Sequence, residues 1–107
     1  MKRISNMDEP KEQTKTIDYL NKGQYGYVLY KDAIGEDIKL LYEFSSGNCI
    51  AIIYIPTDEE WHQKTNRSIE TRSAILKFIA EQVIIDKAKG CHFELTEKRI
   101  RILINKE

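Results

Sequence analysis

The chain has 107 residues, enough for one domain and little more. Its 17 Lys plus Arg balance 17 Asp plus Glu, so the formal net charge is zero. That argues against a dedicated duplex nucleic-acid binder, which depends on a cation excess, and against an acidic disordered tail.

Residues 1–7 start basic but lead into no apolar run, so no secretory leader is expected and the segment reads as frayed. A weak helix is expected over 8–22, with Asp8 as N-cap, Pro10 in its first turn and Gly23 as its stop. Its apolar content is thin (Ile17, Tyr19, Leu20), so it must dock to persist. Residues 24–32 have strand composition, and Ala33-Ile34-Gly35 breaks the run. From Glu36 to Ser45, Ile38, Leu40, Tyr42 and Phe44 alternate with Lys39, Leu41, Glu43 and Ser45. Ser46-Gly47-Asn48 is a hairpin turn, and Asn48–Ile55, apolar on both sides, belongs inside a sheet. Either Ile50, Ile52 and Tyr54 or Cys49, Ala51 and Ile53 must then point away from the helix layer.

Pro56 ends that strand, and Thr57 with Glu60 forms a capping box for a short helix through Trp61 and His62. Asn66 or Ser68 starts the main helix, which runs to about Lys89 and stops at Gly90. Ile69, Ile75, Leu76, Ile79, Ala80, Val83 and Ile84 make its broad apolar face, while Ala74, Phe78 and Ile85 lie on the far side. After Gly90, Cys91–Leu95 and Arg99–Ile104 alternate around Thr96-Glu97-Lys98, giving either a hairpin or one long strand. The order α-β-β-β-α-β-β predicts a single α+β two-layer domain over 1–107, a mainly antiparallel sheet with one long helix on one face. Under that helix should lie Ile38, Leu40, Phe44, Phe93, Leu95, Ile100 and Ile102.

No motif fixes a chemistry. Cys49 and Cys91 have neither disulfide nor zinc spacing, and His62 and His92 lack a partner at i+3 or i+4, so no metal, cofactor or catalytic residue is assigned. Asp58-Glu59-Glu60 is explained by helix capping, and no glycine-rich phosphate loop occurs. The longest apolar run, Ile50–Ile55, is too short for a bilayer, so a cytoplasmic, membrane-free protein is expected. The leading expectation is a non-catalytic domain acting by protein–protein contact, as an adaptor, an immunity-like inhibitor or an assembly subunit, with a homodimer among the possibilities. The motive is surplus apolar surface, with Trp61, Phe78, Ile85, Leu41 and Leu103 as the candidate interaction residues. Two other readings stand behind it. Tyr25, Tyr27, Tyr30, Tyr42 and Tyr54 on strands, with Lys39, Arg99 and Arg101, could stack and track a single-stranded nucleic acid. A small hydrolase would use Cys49 as nucleophile.

Overall fold

A computed structural model describes residues 15–105. Six strands, β1 (Thr16–Asn21), β2 (Tyr25–Lys31), β3 (Ile38–Phe44), β4 (Cys49–Tyr54), β5 (Cys91–Leu95) and β6 (Arg99–Ile104), form one antiparallel sheet in the order β1-β2-β3-β4-β6-β5. Between β4 and β5 run α1 (Asp58–Thr65), a 3-10 turn (Ile69–Thr71) and α2 (Arg72–Lys87). The α+β two-layer arrangement is therefore as the alternation predicts. The described residues hold no helix long and apolar enough to cross a membrane.

The expected N-terminal helix is corrected where it can be seen. Thr16–Asn21 is a strand paired along its whole length with β2, Ile17 opposite Tyr30 and Tyr19 opposite Val28. Ile17 and Tyr19 pack against the core and Asp18 does not, a period of two that no helix could use. The rest of that expected helix, and the segment 1–7, lie outside the described residues.

The capping box acts as read, whereas the main helix starts later than expected: α2 begins at Arg72, after a 3-10 turn, and not at Asn66 or Ser68. Thr57 Oγ1 accepts from the Glu60 amide at 3.3 Å, and Glu60 Oε1 accepts from the Thr57 amide at 3.0 Å, closing the capping box. Asn66, with φ of 60°, ends α1 in the left-handed conformation, and Ser68 caps the 3-10 turn. Glu97 lies in a tight hairpin turn: the Thr96 amide donates to the Arg99 carbonyl at 2.9 Å.

The core lies between the helices and one sheet face. Val28, Tyr30, Ile38, Leu40, Tyr42, Ile53, Ile100 and Ile102 meet Ile75, Leu76, Ile79, Ala80 and Val83 of α2 and Trp61 of α1. One helix about 10 Å wide cannot roof six strands that span about 24 Å. Hence Phe44 and Leu95, expected beneath the helix, keep 56% and 38% exposure at the margins, and Phe93 is half-buried.

Candidate functional site

Antiparallel register decides which side chains share the uncovered face. Leu20, Tyr27 and Leu41 stand in one cross-strand row; Tyr25, Glu43, Ile52, Arg101 and Glu94 stand in the next. Asp18, Leu29 and Lys39 make a third. Tyr54 lies opposite Arg99, and Leu103 opposite His92.

A register shift between Cys49 and Ala51 alters β4. Cys49 pairs with Leu103 and lies against the Arg101 side chain on the open face, whereas Ile50 and Ala51 both pack toward the core. Neither of the two alternating sets read from the sequence is therefore displayed intact: the open side carries Cys49, Ile52 and Tyr54.

The open face thus presents a block of Leu20, Tyr25, Tyr27, Leu29, Leu41, Ile52, Tyr54 and Leu103 that no element covers among the described residues. Neighbours half-bury most of them, while Leu20 and Tyr25 stand further out. Tyr25 and Tyr27 meet edge to face at 6.1 Å, and a shallow depression beside them is bounded by Gln24, Leu41, Glu43 and Phe44.

Charges on this face are largely answered within it. Arg101 pairs with Glu94 at 2.6 Å, which raises the arginine's pKa, and Lys31 pairs with Asp18 at 3.7 Å. Tyr54 donates to Glu43 at 2.8 Å, and this bond to a carboxylate pushes the phenol's pKa up. The Lys39 ammonium lies 4.4 Å from the centre of the Tyr27 ring.

The five residues singled out from the sequence separate. Leu41 and Leu103 lie together on the open face, half-buried. Trp61 is corrected: it is 0% exposed, and its indole N–H donates to the Ser68 carbonyl at 3.0 Å, so it anchors α1 to the core and offers nothing to a partner. Phe78 is half-buried with its ring edge-on to Tyr30 at 5.9 Å, while Ile85 remains 59% exposed, so the two do not form a continuous stripe. Of the strand tyrosines, Tyr25, Tyr27 and Tyr54 share the open face, and Tyr30 and Tyr42 are core residues.

The sequence reading missed a buried ion pair at one end of the sheet. Arg67 Nη1 and Nη2 donate to the two carboxylate oxygens of Asp32, both at 3.0 Å, and Nη2 also donates to the Glu36 carbonyl at 2.6 Å. Asp32 further accepts from the Tyr30 hydroxyl at 2.8 Å and from the amides of Ile34 and Gly35. Burial works to raise the Asp32 pKa, but the donors from Arg67, Tyr30 and the two amides outweigh it and hold the carboxyl well below the usual range. The Tyr30 phenol is pushed upward by burial and by its bond to Asp32. Gly35 fits closely here: a Cβ would stand 3.0 Å from the guanidinium carbon, and the ion pair would have to shift by a few tenths of an ångström to admit it. The pair clamps the β2–β3 loop to the junction between α1 and α2 and leaves Ile34 at the loop tip, 87% exposed. Asp32 before Ala33-Ile34-Gly35 is a legible turn signal. Its partner, 35 positions away, is not.

On the covered face a cavity of about 130 Å³ lies beside the C-terminal part of α2. Val28 and Ile53, both 1% exposed, border it together with Tyr19, Tyr42, Phe44, Val83 and Lys87. Its phenols are already engaged: Tyr19 donates to Asp86 at 2.8 Å and Tyr42 to Asn21. Burial and the Asp86 carboxylate both push the Tyr19 pKa up. The two cysteines lie apart, Cys49 on the open side but buried beneath its neighbours and Cys91 half-buried against the core. Among the described residues no three His, Cys, Asp or Glu side chains are grouped so that they could hold a metal ion. Set against known proteins, the chain matches no protein-family model, no curated protein and no solved structure.

Proposed function

We propose that the chain is a non-catalytic cytoplasmic domain that works by protein–protein contact through the open face of its sheet. The observation that carries this reading is the row structure of that face: apolar and aromatic side chains from β1 to β6 stand together, and among the described residues no helix covers them. An antiparallel sheet that shows one face to water ordinarily alternates to polar residues there. An uncovered block of this kind marks an interface more often than an ordinary surface.

The shared placement of Tyr25, Tyr27 and Tyr54 with Lys39, Arg99 and Arg101 also favours a second reading, stacking of single-stranded bases. The protein-contact reading accounts for more. Tyr54 and Arg101 are engaged by Glu43 and Glu94, and the carboxylates would repel a phosphate backbone.

A photo-crosslinking side chain substituted for Leu41, with a control at Lys77 on the exposed side of α2, tests the proposal in the native host. Expected is a protein adduct at position 41 and none at 77. Silence at 41, or salt-sensitive binding of a fluorescent oligonucleotide that Tyr27→Ala abolishes, would overturn it.

A further inference from the structure

We infer that the occupant of the open face is a second copy of this chain, packed sheet on sheet about a two-fold axis that passes through Leu41 at right angles to the strands. The inference rests on the protein-contact reading and names its partner. It starts from β3, a central strand of the sheet, whose outward side chains read Lys39, Leu41, Glu43. A two-fold through Leu41 runs the second β3 antiparallel over the first. Leu41 then meets Leu41, and Lys39 of each copy meets Glu43 of the other. Opposite charges are brought together twice by one rotation, as a self-complementary surface requires.

Distances permit this. Lys39 and Glu43 each stand two residues, about 7 Å, from the axis, and sheets packed face to face lie about 10 Å apart, which long side chains from both sides can bridge. Neither residue has a salt-bridge partner among the described residues, unlike Lys31, Arg101 and their carboxylates on the same face; Lys39 lies over the Tyr27 ring and Glu43 accepts from the Tyr54 hydroxyl, and neither contact cancels the charge. The neighbouring strand is compatible: Tyr27 shares the Leu41 row and would meet its own copy, with Tyr25 against Leu29.

Area sets how strong that pairing can be. Five strands about 4.8 Å apart and six residues of about 3.4 Å give a footprint of roughly 480 Å², before side-chain relief is counted. Stable interfaces take about 800 Å² of accessible surface from each partner. Only packing across the width of the sheet approaches that figure; pairing along an edge strand would not. The expected dimer is of micromolar rather than nanomolar strength.

Charge reversal supplies the test, read by sedimentation velocity across a concentration series, with circular dichroism to check folding. Wild type should dimerise. Lys39→Glu alone, and Glu43→Lys alone, should each weaken the dimer roughly ten-fold or more, because each replaces two attractive contacts by two repulsive ones. An equimolar mixture of the two single variants should form a heterodimer, since opposite charges face each other again, and the double variant should recover self-association. Recovery on mixing cannot come from a misfolded variant. A wild type that stays monomeric throughout, or single variants that dimerise like wild type, would overturn the inference. If wild type is monomeric while the photo-crosslinker at Leu41 captures a protein of another mass, the second copy is refuted and the open-face reading stands. A monomeric wild type with a silent crosslinker refutes both.

Discussion

The two faces of this sheet are built from the same strands and obey different rules. On the covered face, β2 contributes Val28 and Tyr30, both 1% exposed, and α2 answers with Leu76, Ile79 and Ala80 at 0%. On the open face the same β2 contributes Tyr25, Tyr27 and Leu29, with Glu43 opposite Tyr25 and Lys39 opposite Leu29. A side chain sealed between two layers needs apolar contact and an internal partner for any polar atom it carries, as Tyr30 has in Asp32. One on an open sheet can combine apolar area with ion pairs at the water boundary.

The strongest way to break this comparison is to place one charge on each face. Ile79→Asp buries a carboxylate with no partner, and cooperative folding should be lost. Leu41→Asp puts the same group where water reaches it, and the melting transition should survive with a loss within about 1 kcal/mol. Thermal unfolding followed by circular dichroism reads both. Equal damage would mean that the open face is as sealed as the core.

How much of this was legible follows the range of the forces. The capping box at Thr57, the α2 face from Ile75 to Val83 and the turn at Glu97 rest on contacts within a few residues and appear where their patterns predict, whereas Ile69, read into that face, stands in the 3-10 turn at 46% exposure. β1 was misread because Pro10 and Gly23 punctuate the segment like helix ends, and Ile17, Asp18 and Tyr19 are too short a run for alternation to outweigh them. Pairing with β2 decided the outcome. The shift at Cys49/Ala51 leaves no mark in composition, since every residue of β4 is apolar. For the open face the surplus of Leu41 and Leu103 is visible in the sequence, but Trp61 can be read there either as a cap on the core or as an exposed anchor, and only tertiary packing decides for the core and turns Phe78 toward it as well.

The buried pair at the sheet end sharpens the comparison, because it is a charge that the covered side tolerates only through its partner. Arg67→Ala strips Asp32 of its guanidinium, and a loss of about 3–5 kcal/mol is expected in chemical denaturation. The pH dependence has a definite sign. The folded carboxyl is held below its unfolded value of about 3.9, so the stabilisation is full above that pH and is lost as the pH falls below it, where the unfolded chain gains a proton first. Asp32→Asn removes the titrating group and should flatten the fall in stability between about pH 5 and pH 3. An unchanged slope would show that other carboxyls govern acid unfolding.

Gly26 tests how closely the strands approach on the covered side. It lies opposite Tyr42, and a Cβ there would collide with the Leu20 carbonyl and crowd the phenol, 2.6 Å from its oxygen. Gly26→Ala should cost about 1–3 kcal/mol by forcing Tyr42 off its place and its bond to Asn21. Urea denaturation measures the loss. A stability equal to wild type would mean that the backbone yields without strain.

The smallest effects are expected on the outer side of α2, where the sequence suggested a continuous stripe. Phe78 and Ile85 are one heptad apart, yet their surroundings differ: the Phe78 ring meets Tyr30 and lies under the Lys15 ammonium at 5.3 Å, while Ile85 stands 59% exposed. Phe78→Ser removes an aromatic pair together with half-buried area, and about 1–2 kcal/mol should be lost. Ile85→Ser removes only a solvated side chain, and the change should stay within about 0.5 kcal/mol. Neither substitution should alter the sedimentation of the dimer, because α2 and the open face lie on opposite sides of the sheet. If Ile85→Ser by itself shifts the dimer toward monomer, self-association runs through the helix layer. The Lys39 and Glu43 variants would then sediment as wild type does, so the two surfaces are separable in a single set of runs.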